Sequence, residues 1–449
     1  MGLFWNNCKF EDKIKIECYN KKYMKGLLKR IYTKEYLLFL AIGFLPLIYK
    51  VFQILFLSSF ENAIKIIGQM VFIEIIFKIF KETLINPLFK ILGKNDNSEE
   101  NKNYYAKKLL IVYSLICIIF TTLIFLLINP IMKFSKIPAE IFDSTKTFLQ
   151  IMAFVNGISV IVQYLFTCSV LSKNNKSIFV YFLISSLFML ILDIIFIPTF
   201  TTGLGVNGLA LSMLIVNLSQ LIYFVITLPK TKKQNCYVFN KKNYAKLCLF
   251  SFVESLTRNL TYYFIVLVLI NTLNNQDLYY MSNEFIWSIM LVPALAQNDY
   301  IKQKVSQNNN ESLKPYFINS VLIIGFIGLM IPVALLLFKY VYGFANWNDY
   351  FLTLLKLTPC YFIFIFDNVI ESYFIASGKM LHVFIQTFLT NIVVYLTSFI
   401  LYVSGVWRVT LDSIILVFSA GMILSSAYTI SVYIYNIRQQ KKLLLWYNN

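Results

Sequence analysis

A chain of 449 residues that is 58% hydrophobic and only 14% charged carries far more apolar surface than one soluble core can bury, because a soluble globule has about a quarter charged residues. The net charge of +18 lies mostly between apolar runs, with no basic patch interleaved with aromatic residues, which argues against nucleic acid as its partner and for loops beside a membrane. Seven scattered cysteines without a CxxC pair, and the single histidine His382, argue against a zinc or redox centre.

Residues 1–35 are mixed and basic and lack the short basic start and apolar core of a cleavable signal peptide. Within them Ile14–Tyr32 reads either as an amphipathic helix on the membrane surface or as a solvated tail. Runs long enough to span a bilayer follow near Tyr36–Leu57, Ile64–Leu84, Leu109–Leu127, Phe148–Leu171, Ile178–Ile197 and Val206–Leu228. A second set lies near Leu247–Leu273, Leu278–Ala296, Phe317–Leu337, Leu352–Ala376, Leu381–Val403 and Leu411–Tyr435. The second run is the weakest, since it contains Glu74, Lys78, Lys81 and Glu82. The repeat of Glu74, Lys78 and Glu82 every four residues reads as a self-neutralising stripe.

With the N-terminus inside, the outer loops hold only Lys133, Lys136, Lys146, Lys339 and Arg408 among basic residues. The inner loops and tails hold many more, including Lys230, Lys232, Lys233, Lys241, Lys242, Lys302 and Lys304. That asymmetry places both termini in the cytoplasm and makes the number of spans even. The loop Pro229–Lys246 divides the chain, and the halves echo each other: Ser172-Lys-Asn-Asn-Lys after the fourth span, Ser377-Gly-Lys-Met after the tenth. Six spans return the chain to the same side, so the repeat is parallel, a pattern of transporters. The division reads as a cytoplasmic tail 1–35, a six-helix bundle 36–228, a linker 229–246, a second bundle 247–436 and a tail 437–449.

Phe188–Phe224 carries the most specific pattern: Leu192 and Asp193 late in the fifth span, then Gly203, Gly205, Gly208 and Ala210 at the start of the sixth. The Gly-x-Gly-x-x-Gly spacing is no nucleotide fingerprint, because no soluble strand precedes it. These residues resemble the fifth and sixth helices of the multidrug and toxic compound extrusion (MATE) family, within the multidrug/oligosaccharidyl-lipid/polysaccharide exporter superfamily. Ile289-Met-Leu-Val-Pro-Ala-Leu-Ala with Lys304-Val-Ser-Gln, and Phe374-Ile-Ala-Ser-Gly-Lys, resemble its eighth and tenth helices. The family often has a carboxylate late in its first helix; here that stretch offers Lys50, and the nearest acid is Glu61.

Ionisable side chains inside a bilayer cost roughly 2.5–3.5 kcal/mol each and therefore face cavities or partners. Glu254 in the seventh span reads either as the partner of Arg258, one turn on, or as a cation site. Asp367 and Glu371 in the tenth span share a face, an arrangement that suits H⁺ exchange or joint Na⁺ binding. The resemblance implies acids in the seventh and tenth helices of some branches, which Glu254 and Asp367 match. Asp193 matches a family position but sits near the outer end of its span, where plain solvation is the other reading. Glu284 and Trp287, one turn apart, offer charge and an aromatic face to a cationic molecule, or else pack in the core. Tyr262, Tyr263 and Tyr361 lie on helices expected to line the cleft.

The expectation is an all-α polytopic membrane protein with twelve helices in two parallel six-helix bundles, V-shaped as in the MATE family. It is a monomer in a bacterial inner membrane, takes no cofactor and no metal, and is not an enzyme. Na⁺ or H⁺ entry would drive export of amphipathic or cationic small molecules. The alternative is a flippase for lipid-linked oligosaccharides, which needs basic residues in the cleft; Arg258 and Lys50 are the candidates. No GxxxxGK[ST] motif is present.

Overall fold

The computed structural model describes residues 32–57, 60, 63–93, 99–134, 139–172, 174–227, 241–262, 269–270, 273, 276–308, 311–341 and 346–447. The N-terminal tail up to residue 31, most of the central linker, Glu61, Tyr263 and the side chain of Lys50 lie outside that set. The helical stretches are labelled α1 to α12 in chain order. The first six are α1 (Lys34–Leu57), α2 (Ala63–Gly68 and Met70–Leu92), α3 (Glu99–Phe134), α4 (Phe142–Leu171), α5 (Asn175–Leu183, Ile184–Phe188, Met189–Phe196) and α6 (Gly205–Thr227). The rest are α7 (Lys241–Thr261), α8 (Gln276–Phe285, Ile286–Met290, Val292–Gln307), α9 (Lys314–Leu336, Leu337–Val341), α10 (Trp347–Ser377), α11 (Met380–Thr390, Asn391–Leu396, Thr397–Val403) and α12 (Leu411–Tyr447).

Eight of these, α3 to α6 and α9 to α12, are long and apolar enough to cross a membrane by length and composition among the described residues. α2, α7 and α8 are not among them; each carries ionisable residues within its length, and Glu82, Glu254, Arg258, Glu284 and Lys302 line an interior cavity. Several helices outrun the expected spans. α2 continues past Leu84 to Leu92, and α8 runs on to Gln307, which draws Lys302 out of the loop where its charge was expected and into a helix.

Local sequence sets the breaks. Pro293 cannot donate a backbone hydrogen bond, and α8 passes through a π-helical turn, Ile286–Met290, before resuming at Val292. α5 and α11 each carry a π-helical turn near mid-length, Ile184–Phe188 and Asn391–Leu396. Between α5 and α6 the turn residues Gly203 and Gly205 adopt φ of +67° and +54°, values that favour glycine. The amide of Gly203 donates to Pro198 O at 2.9 Å and that of Leu204 to Phe196 O at 3.2 Å, which caps the end of α5.

The packing repeats with an offset of six helices. α2 with α4, α3 with α4, α4 with α6, and α5 with α6 recur as α8 with α10, α9 with α10, α10 with α12, and α11 with α12. Contacts between the halves are also exchanged: α1 packs on α8, and α7 packs on α2. The buried core follows the same plan. One cluster joins both halves at the face where α1 begins and α2 ends, and includes Tyr36, Leu88, Tyr164, Tyr300, Val305 and Phe374. Towards the opposite face the cores separate, one around Tyr279, Phe338, Leu354 and Ile414, the other around Leu57, Met189, Ile197 and Leu209. The halves therefore meet at one face and splay apart towards the other.

Candidate functional site

Between the halves lies a cavity of about 990 Å³ whose walls come from α1, α2, α4, α7, α8, α10, α11 and α12. Glu254, Glu284, Trp287, Tyr262, Tyr361, Asp367 and Glu371 all line it, so residues spread over more than a hundred positions converge on one volume. Asp193 does not line it.

Asp367 is 6% exposed on α10. Its Oδ2 accepts hydrogen bonds from Gln386 Nε2 of α11 at 3.0 Å and Ser425 Oγ of α12 at 2.5 Å. Gln386 Nε2 also lies 2.5 Å from Ser425 Oγ. Asp367 Oδ1 is buried with no hydrogen-bond partner. The carboxylate thus sits in a cup of neutral donors with one coordination position left over, the arrangement a proton or small cation would complete. Glu371, one turn on, is electrostatically coupled to Asp367 and Glu254, and to Arg258 and Lys302 from other helices.

Glu254 is in an ion pair. Arg258 Nε donates to its Oε1 at 2.8 Å, and Thr387 Oγ1 of α11 donates to the same atom at 3.2 Å. Arg258 Nη2 simultaneously reaches Glu82 Oε2 of α2 at 2.6 Å, where Ser255 Oγ also donates. The i,i+4 pairing expected of Glu254 is present, and it extends into a triad. The stripe expected within α2 is not self-contained: Glu82 leaves Lys78 for a guanidinium on the other half, because α7 packs against α2.

Asp193 is 0% exposed, so the solvated reading of it is wrong. The α5–α6 turn folds back over the helix end, and Gln53 of α1 donates Nε2 to Asp193 Oδ2 at 2.8 Å. Asp193 Oδ1 has no partner. Asp193 and Asp367 thereby resemble each other, each a buried carboxylate held by a glutamine from another helix.

The aromatic wall is built around Tyr361, which is 2% exposed. Its hydroxyl donates to Asn283 Oδ1 and accepts from Trp287 Nε1 at 3.0 Å. Phe364, one turn below, packs edge-on to both rings. Trp287 is 39% exposed and presents its ring, while Glu284 accepts from Ser288 Oγ at 2.6 Å. Sequence reasoning missed Phe364, Asn283, Gln386, Ser425 and Gln53. Gln386 left a signal, a long polar side chain inside the apolar run Leu381–Val403. Basic residues were also undercounted: Lys78, Lys81 and Lys302 line the cavity beside Arg258.

At the closed face the halves are joined by hydrogen bonds as well as by the core. Tyr36 OH of α1 accepts from Asn319 Nδ2 of α9 at 3.2 Å, and Asn319 Nδ2 also reaches Gln297 Oε1 of α8 at 2.6 Å. Gln303 Nε2 of α8 donates to Val170 O at the end of α4 at 2.7 Å.

No family model matches the sequence, and no curated protein matches it. Solved structures match over nearly the whole length. A mutant of the Vibrio cholerae MATE transporter VcmN superposes with a TM-score of 0.74 at 13% identity, covering 93% of this chain and 98% of that one. An outward-facing multidrug resistance MATE transporter of the MOP superfamily gives 0.72 at 16% identity, over 91% and 98%. A MOP superfamily transporter from Pyrococcus furiosus, described as having a binding pocket of reverse polarity, gives 0.72 at 15% identity, over 93% and 96%. With eight membrane-length apolar helices among the described residues, two splayed halves and these neighbours, the chain is a multi-pass membrane protein with the fold of the MATE transporters of the MOP superfamily.

Proposed function

We propose that the protein is a secondary antiporter that exports amphipathic, positively charged small molecules in exchange for Na⁺ or H⁺. The observation that carries this reading is the cavity itself. It lies between two repeated halves that share one buried core, and it holds a buried carboxylate, Asp367, with an unpartnered oxygen. The cycle is a rocking of the halves about the cavity. Cation binding at Asp367 and Glu371 favours one state and substrate binding the other, each through its differential affinity.

In this reading the sealed face, where the basic loops lie, is cytoplasmic, so the structure is outward-open. The halves are the units 36–228 and 247–436, and the protein works as a monomer. Asp193 is a second carboxylate for the coupling ion in the first half, Glu254 belongs to the ionic link between the halves, and Trp287, Tyr361, Tyr262 and Glu284 form the substrate wall. Neither a cofactor nor a resident metal is needed. Purified protein reconstituted in liposomes tests this: a fluorescent organic cation should move against its gradient when Na⁺ and pH gradients are imposed one at a time. Absence of uptake under both gradients would refute antiport.

A further inference from the structure

α10 borders a second recess besides the cavity. A groove of about 540 Å³ lies between α9 and α12, which both pack on α10. Ser312, Lys314, Phe317 and Val321 line it around the start of α9, with Phe366 of α10 and Tyr433 of α12. Phe366 immediately precedes Asp367, which lines the central cavity. The groove is therefore on the other side of α10 from the cavity. It is also at the closed face: the apolar span of α9 begins at Lys314 and that of α12 ends shortly past Tyr433, and Leu313, Tyr316 and Tyr433 join the core shared by the halves.

The walls are apolar. The rings of Phe317 and Phe366 stack at 6.4 Å, and Tyr433 packs edge-on to Tyr373 at 5.8 Å. Val321 is 58% exposed. From Lys314 to Val321 the wall follows α9 for about 10 Å, roughly a third of the hydrocarbon thickness of a bilayer. In a membrane such a recess is filled, because atoms that line a void lose their dispersion contacts. An acyl chain is the filler that suits an apolar wall.

The rim selects the headgroup. Lys314 and Ser312 stand on the α9 side. On the α12 side, Lys379 Nζ lies 5.6 Å from the ring centre of Tyr373 and donates to Asn436 Oδ1 at 3.1 Å, one turn past Tyr433. Among the described residues none that lines the groove is acidic. Glu311 is close in sequence but turned away: its Oε1 accepts from Tyr316 OH, and the buried Tyr316 ring packs edge-on to Tyr300 of α8. Asp367 and Glu371 line the cavity instead. Cationic groups above an apolar slot at the end of the spans match an anionic amphiphile.

We propose that this groove binds one anionic phospholipid of the leaflet at the closed face. Its phosphate lies beside Lys314 and Lys379, and one acyl chain runs along Phe317, Phe366 and Val321. The site is separate from the cavity that holds the transported molecule and does not depend on what is transported.

The test is photolabelling of the full chain, one copy per lipid nanodisc. Phosphatidylglycerol and phosphatidylcholine carry the same diazirine-bearing chain, and labelled residues are located by peptide mapping. Leu249 of α7 is the reference, since it is 59% exposed, three residues from Lys246 and outside the groove. It reports the general attraction of a basic surface for anionic lipid. The preference for phosphatidylglycerol should be about fivefold greater in the groove than at Leu249, the scale of one lysine beside an anionic headgroup. Lys314→Gln combined with Lys379→Gln should lower the groove preference to that at Leu249, while Lys314→Arg, which keeps the charge, should preserve it. Val321→Trp, which fills the slot, should cut groove labelling by both lipids several-fold.

A groove preference no greater than that at Leu249, or one indifferent to the double glutamine variant, would overturn the proposal. So would a groove that neither lipid labels. A last arm uses discs holding two copies of a Val321→Cys variant with the native cysteines replaced. A disulfide between the copies, with loss of the groove label, would assign the groove to a second copy of the chain and also overturn it.

Discussion

Arg258 on α7 reaches Glu82 on α2, with Nη2 2.6 Å from Oε2, and so links the two halves of the protein beside the cavity. The same guanidinium holds Glu254 on its own helix at 2.8 Å. The repeat-related crossing, α1 on α8, is joined by hydrogen bonds through Tyr36, Asn319 and Gln297. One crossing carries an ion pair beside the cavity, and the other a buried hydrogen-bond network of uncharged side chains.

Breaking the ionic crossing should weaken this state without unfolding it. The Arg258 side chain is 42% exposed and that of Glu82 21%, which places the pair between exposed and buried ion pairs. Glu82→Gln is expected to cost about 1–2 kcal/mol, discounted for solvent screening. A double-mutant cycle with Arg258→Gln, read by thermal unfolding in detergent, should show coupling of about 1 kcal/mol. Additive losses would mean that the two residues do not communicate.

The α1–α8 crossing should respond to bulk. A Cβ added at Gly43 of α1 would stand 2.8 Å from Val292 Cγ1 of α8, and one added at Gly93 would press on Ser306. Gly43→Leu is therefore expected to wedge the closed face open. The check is a cysteine placed at Asn368 in the cavity, in a background with the native cysteines replaced. A membrane-impermeant thiol reagent applied from the basic-loop side should label it several-fold faster in the Gly43→Leu variant. Equal labelling rates would contradict a tight α1–α8 seal.

Asp193 depends on Gln53, which is 7% exposed and donates the hydrogen bond to its Oδ2. Gln53→Leu leaves a buried carboxylate without that donor and should lower stability by about 1–3 kcal/mol. Combining it with Asp193→Leu should recover part of the loss, because removing both polar partners costs less than orphaning one. The two unfolding midpoints decide the matter, and a neutral Gln53→Leu would contradict the pairing.

Much of this arrangement is legible in the sequence because the bilayer leaves few choices. Long apolar runs locate α3 to α6 and α9 to α12, and Gly203 and Gly205 mark the turn that requires positive φ. Asp367, Glu371 and Glu254 stand out as charges in apolar surroundings, and the structure brings them to one cavity. What stays hidden is which helix supplies the partner. Local spacing suggests Glu82 with Lys78, yet α7 places Arg258 closer; likewise Gln53 reaches Asp193 across 140 residues. Lys302 reads as a loop charge because Pro293 obscures the continuation of α8 to Gln307.

The central claim is that a cation gradient does work through the buried carboxylate of α10. The direct measurement compares wild type with Asp367→Asn in proteoliposomes, following uptake of a fluorescent organic cation under imposed Na⁺ and pH gradients. The isosteric amide keeps a hydrogen-bonding partner for Gln386 and Ser425, so the variant should insert and fold, while gradient-driven uptake should fall to the level of empty vesicles. Uptake at the wild-type rate in the variant would contradict the account.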